Sequence, residues 1–145
     1  MAELEFPLNA KWSGTGKEGE GEIIIGEQTL TFSAPENMGG KGVGLSPEDF
    51  LIAGVTTCYS GTLFAVLKKA KLPVKEVSIH SKGIVTDYPL KSKFNGLIVS
   101  PTIIGGEESR LDEYKKAAEK ARQRCFIGKT ITGNVDYRVG EVSVK

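Results

Sequence analysis

Hydrophobic and polar positions alternate at the start of the chain. Phe6, Leu8, Ala10 and Trp12 are separated by single, mostly polar residues, the two-residue period of a strand, until Pro7 and Gly14 interrupt it. Ile23, Ile24 and Ile25 precede Gly26, and Thr29 to Phe32 follow it, which predicts a hairpin turning at the glycine. Strands are therefore expected over about 6–33. Residues 34–44 hold Gly39, Gly40, Gly42 and Gly44 and read as a mobile loop, either part of a site or a plain connector.

The pattern then changes to helical. Ser46 is a suitable N-cap, Pro47 fits the first helical position, and Glu48 and Asp49 complement the positive helix end. Phe50 to Leu67 carries no charge, Lys68, Lys69 and Lys71 follow, and Pro73 stops the run. One helix over about 47–70 is predicted. Its uncharged stretch approaches the length of a membrane span. Thr56, Thr57, Tyr59, Ser60 and Thr62 make it too polar for lipid, and a helix apolar nearly all round more often runs through a protein core.

Strands are predicted over about 74–104, broken by Gly105 and Gly106 before a second helix over about 110–124. Leu111, Tyr114, Ala117, Ala118 and Ala121 fall on one stripe of that helix. Alternation resumes in a final strand over about 130–144. The order of strands, helix, strands, helix and strand predicts a single α+β domain, 1–145, with a mostly antiparallel sheet and a long buried central helix.

Composition narrows the partners. The 145 residues are long enough for one core, and 19 basic against 18 acidic side chains leave a net charge of +1. No strong field recruits nucleic acid or an anionic membrane. The N-terminus has neither a basic start nor a signal-type apolar run, so a cytoplasmic location is expected, where thiols stay reduced unless catalytic or regulatory.

Candidate chemistry reduces to thiols. His80 is the only histidine and has no closely spaced metal-ligand partner, so neither a metal nor another cofactor is expected. Around Gly54 to Cys58 there is no nucleophile elbow, and the glycines near Lys17 lack P-loop spacing. Cys58 lies in the uncharged helix and Cys125 closes the charged one. They read either as a nucleophile and resolving pair or as small apolar fillers. Cys58 lies beyond the first helical turn and Cys125 near a helix C-terminus, where the dipole opposes negative charge, so activation has to come from side chains elsewhere.

Leu45 to Cys58, with Glu48 ten residues before the cysteine, resembles the signature helix of the OsmC/Ohr proteins. Ala117 to Cys125 is similar to the family's second cysteine-bearing helix, and Gly133 to Arg138 to its last strand. The resemblance implies an intertwined homodimer with sites at the subunit boundary. It also implies thiol peroxidase activity in oxidative stress, with organic hydroperoxides as substrate and an external dithiol as reductant. On this reading Cys58 becomes a sulfenic acid and Cys125 condenses with it. Ten residues of helix rise about 15 Å, so a Glu48 that serves the site comes from the other subunit.

The chain departs from the family in two places. Hydroperoxide-reducing members carry an early arginine, whereas this chain has none before Arg110 and places Lys17 or Glu18 there. Lys17 supplies a thiolate-stabilising point charge but no guanidinium fork. Phe126 and Gly128 stand where many members have proline and serine. The alternative function is a non-peroxidatic protein of the same fold that binds a small apolar or thiol-bearing ligand at the dimer boundary.

Overall fold

The computed structural model describes all 145 residues, Met1–Lys145, which divide into two compact units, Met1–Phe50 and Leu51–Lys145. In the first unit, β1 (Asn9–Ser13), β2 (Glu20–Ile25) and β3 (Gln28–Phe32) form an antiparallel sheet in the order β1-β2-β3. The β2–β3 hairpin turns through Gly26 and Glu27, and Gly26 has the positive φ of +58° that so tight a turn requires. The sheet buries little of itself. Every β1 residue is exposed, and Leu8, Ile23, Ile25, Leu30, Phe32 and Phe50 line an open apolar groove of about 480 Å³.

The glycine-rich segment, expected to be mobile, is instead held by hydrogen bonds. Ser33 is buried; its Oγ donates to the Val43 carbonyl and accepts from the Val43 N–H, both at 2.8 Å. Gly40 N–H and Gly42 N–H donate to the Pro35 and Ala34 carbonyls. Positive φ at Gly39, Gly42 and Gly44 makes these bonds reachable, so here glycine supplies a defined path rather than slack.

Helix α1 (Pro47–Lys69) starts with a reciprocal cap: Asp49 N–H donates to Ser46 Oγ at 3.2 Å, and Ser46 N–H donates to Asp49 Oδ2 at 2.9 Å. It ends four residues before the proline expected to stop it. Leu72 N–H reaches the Leu67 carbonyl and Lys71 N–H the Lys68 carbonyl, with Lys71 at φ +59°, a Schellman closure on a lysine.

In the second unit, β4 (Glu76–Thr86) and β5 (Lys93–Ile104) pair antiparallel, while β6 (Asp136–Val139) and β7 (Ser143–Val144) pair parallel to β5. Pro101, in central β5, falls opposite the break between β6 and β7, where the ladder asks no N–H of it. One strand over 130–144 is thus a correction to make. Residues Phe126–Ile131 form a short helix, α3, and β6 and β7 are separate strands with Gly140 between them. Gly128 and Ile131, both buried, share one side of α3, a helical spacing too short to register against the alternation that follows.

The core lies in this unit. From α1 it takes Val55, Tyr59, Leu63, Val66 and Leu67, a helical stripe. From α2 (Leu111–Arg124) it takes Tyr114, Ala117, Ala118 and Ala121, and β5 adds Leu97, Val99 and Ile103. The alanines bring the backbone of α2 within reach of α1, and Tyr59 Oη donates to the Ala118 carbonyl at 3.0 Å. Tyr114 Oη donates to the Pro73 carbonyl at 2.6 Å. Its composition predicts a helix buried all round, but within the single chain α1 is buried on one side only. Gly54, Thr57, Gly61 and Ala65 on its other side stay exposed. By length and composition α1 is apolar enough to cross a membrane. Its polar side chains are engaged within the chain, however, Thr56 Oγ1 with Ser81 Oγ at 2.6 Å and Ser60 Oγ with the Thr56 carbonyl at 2.7 Å.

Candidate active site

The two cysteines, distant in sequence, are neighbours in the fold. Cys58 is half-buried in the middle of α1; Cys125 is fully buried at the junction of α2 and α3, and both are free thiols. Cys125 Sγ lies 3.8 Å from the Val55 carbonyl oxygen, one turn before Cys58 on the same side of α1, and the Cys58 thiol stands beside it. The amphipathic stripe of α2 produces this placement, because Cys125 continues the row that buries Ala118 and Ala121.

The electrostatics at Cys125 differ from the expectation of a helix C-terminus alone. Cys125 also caps the N-terminus of α3: the Gly128 N–H donates to its Sγ at 3.4 Å. Burial pushes the Cys125 thiol above its ordinary value, and the Gly128 N–H opposes that rise. The adjacent Cys58 thiol adds to it and the Tyr137 hydroxyl counters it. The protonated thiol is thus the resting form of Cys125 at neutral pH.

Four residues that motif reading passed over complete the surroundings. Tyr137, from β6, is buried, and its hydroxyl stands by the Cys125 sulfur without a formed hydrogen bond. A side chain at Gly128 would collide with the Tyr137 ring, so the glycine makes room for the tyrosine. Arg122 sits 5.7 Å from the centre of the Tyr137 ring, donates to the Tyr137 carbonyl at 3.3 Å and pairs with Glu119 through Nε at 2.9 Å. Tyr59 occupies the other flank, its phenol raised mainly by burial. The available signals were Gly128, an unusual residue three after a cysteine, and the alternation that turns Tyr137 inward.

The remaining expected site residues lie in the first unit. Glu48 is in the first turn of α1, on the same uninterrupted helix as Cys58, so the helical rise holds the two about 15 Å apart. Its Oε1 is buried and has no hydrogen-bond partner. Lys17 lies in a short 3-10 turn, Gly16–Glu18, exposed and without an ion pair. His80 is exposed on β4, and no three His, Cys, Asp or Glu residues are grouped as metal ligands.

A family model described as OsmC-like protein matches residues 39–139. The chain belongs to the OsmC-like family. An uncharacterized protein of Bacillus subtilis (strain 168), YmaD, is 30% identical over 148 residues, covering 100% of this chain and 97% of YmaD. The crystal structure of a Legionella pneumophila organic hydroperoxide resistance protein OsmC, also described as a predicted redox protein, is similar at 28% identity. It superposes with a TM-score of 0.75, covering 98% of this chain and 100% of that one. A putative organic hydroperoxide resistance protein from Vibrio cholerae O1, with captopril in one of its active sites, shares the fold at 22% identity and a TM-score of 0.68, covering 98% and 93%. The OsmC-like chain therefore has an α+β fold of two sheets and three α-helices, with no closed barrel.

Proposed function

We propose that this OsmC-like chain is a thiol peroxidase that reduces organic hydroperoxides with Cys58 as nucleophile and Cys125 as resolving thiol. The observation that carries the reading is the meeting of two free thiols, one half-buried and one fully buried. Attack of the Cys58 thiolate on ROOH breaks the O–O bond, giving the Cys58 sulfenic acid and an alkoxide that takes a proton to become the alcohol. Condensation with the Cys125 thiol releases water and forms the disulfide. An external dithiol supplies two electrons and two protons, restores both thiols and leaves as its own disulfide.

A cytoplasmic homodimer, each subunit a single domain, supports the site. An interior glycine costs a helix about 1 kcal/mol relative to alanine. Gly54 and Gly61 both lie inside α1, and a Cβ at either would meet nothing in this chain. Close approach of a second copy explains why glycine stands there, and it covers the open apolar groove of the first unit. In that dimer Glu48, with its unpartnered buried oxygen, serves the partner's thiols, and Lys17 is the candidate cation.

Cumene hydroperoxide consumption with a dithiol donor is the test. Cys58→Ser abolishes turnover, whereas Cys125→Ser allows one oxidation and then accumulates sulfinic acid on Cys58. Absence of turnover by the unmodified protein with several dithiols sinks the reading. The missing early arginine, together with the thiol drug captopril bound to the Vibrio cholerae protein, favours a second reading: a site that binds a small thiol-bearing ligand. A ligand-dependent rise in melting temperature without peroxide consumption selects it.

A further inference from the structure

Besides the Cys58 thiol, four hydrogen-bond donors stand close to the Cys125 sulfur or flank it, and three of them are committed. The Gly128 N–H already donates to the sulfur. Tyr59 Oη donates to the Ala118 carbonyl, and Arg122 is held by Glu119 and by the Tyr137 carbonyl. The fourth, Tyr137 Oη, is buried, has no partner, and stands beside the sulfur. A buried hydroxyl left unpaired costs stability, so its retention calls for a state in which it is paired. The chain also keeps glycine at 128, the one residue that leaves room for the Tyr137 ring.

We propose that Tyr137 is the hydrogen-bond donor to the Cys125 thiolate, making its bond only when that sulfur carries charge. The proposal rests on the peroxidase reading for its place in turnover, but not for its chemistry. In the resolving step the Cys125 thiol gives up its proton, and its sulfur attacks the Cys58 sulfur. The S–O bond breaks, and the departing hydroxide takes a proton to leave as water. In the reductive step an external thiolate attacks the Cys58 sulfur, the S–S bond breaks, and the electron pair stays on Cys125. The second external thiol, deprotonated, then displaces Cys58 and closes the donor's own disulfide. In both steps charge resides on Cys125, and the Tyr137 hydroxyl donates to it.

The groups facing Cys125 are Cys58 and Tyr59 from α1 and Tyr137 from β6, while Glu119 and Arg122, earlier on α2, act on the Tyr59 phenol and Arg122 also on the Tyr137 phenol. The Arg122 guanidinium above the Tyr137 ring opposes the burial-driven rise of that phenol, which makes it a better donor. Glu119 is paired with Arg122, and α3 contributes the Gly128 N–H but no charged group at the sulfur.

The test needs no peroxide. Cys58 is converted with Ellman's reagent to its mixed disulfide, and release of thionitrobenzoate as Cys125 attacks is followed across pH. Tyr137→Phe is expected to slow that release about ten-fold at neutral pH and to displace its pH profile upward, the effect of losing a hydrogen bond to a charged group. The melting temperature does not fall. An unaltered rate and pH profile overturns the proposal, as does no release from the unmodified protein. A drop in melting temperature overturns it as well, because the hydroxyl would then have a partner in the resting fold. Tyr137-dependent release in a protein that consumes no peroxide leaves the proposal standing and removes the peroxidase reading.

Discussion

At Gly128 the absence of a side chain decides what can stand next to a cysteine. A Cβ added there would run into the Tyr137 ring and come within 3.2 Å of Cys125 Sγ, all inside the buried core of the second unit. Overpacking of this kind costs roughly 1–3 kcal/mol, so Gly128→Ala should lower the urea midpoint by a corresponding amount. It also slows attack by Cys125, because the ring is pushed off the sulfur. Combining Gly128→Ala with Tyr137→Leu should recover much of the lost stability but not the rate, which separates packing from chemistry. Equal losses in the single and double variants would show that the crowding lies elsewhere. Gly128 acts through space, whereas Cys58 and Cys125 act through their sulfur, and only the latter carry a motif that sequence reading recognises.

Among the elements, α1 was the most legible. Its start is written in Ser46, Pro47 and Asp49, whose side chains and ring conformation set the cap directly, and its span follows from the uncharged run. The end was less so, since the Schellman closure uses Lys71, a residue with no preference for positive φ. The stripe of α2 was readable because alanines recur at helical spacing, and that stripe carries Cys125 inward. α3 was not readable: six residues give less than two turns, too little to compete with strand-like alternation on either side. The parallel pairing of β6 and β7 depends on where α3 returns the chain, so it too was hidden. The open side of α1 yields the prediction at this scale. Were that side facing water, Gly61→Ala would stabilise the protein by about 1 kcal/mol through helix propensity alone. With a second copy packed on the glycine, the added methyl has no room. Gly61→Ala is then destabilising, and Gly61→Glu converts dimer to monomer in sedimentation equilibrium. A monomeric unmodified protein whose Gly61→Ala variant melts higher would remove the dimer.

Across the whole molecule, the buried acids set the response to alkali. Cys125, Tyr59 and Tyr137 all have their ionisation raised in the fold, each with burial as the largest cause, from ordinary values of 9.0, 10.0 and 10.0. Below pH 9 folded and unfolded chains hold the same protons at these groups, so their contribution to stability is complete and flat. As pH rises past 9 the unfolded chain loses protons that the folded chain keeps, and stability falls, by at most about 1.4 kcal/mol per pH unit for each group. The surface offers little to offset this. Glu113, held down by its hydrogen bond from Arg110, is fully exposed, so its pairing is screened by water. Urea midpoints between pH 7 and 11 should therefore be level at first and decline from about pH 9, where the unfolded thiol titrates. Cys125→Ser should delay the onset to about pH 10, where the phenols titrate, and adding Tyr137→Phe should make the remaining decline shallower. A level profile through pH 11 in the unmodified protein would mean that water reaches these groups in the folded state. The Cys125 sulfur would then have no need of a tyrosine to carry its charge.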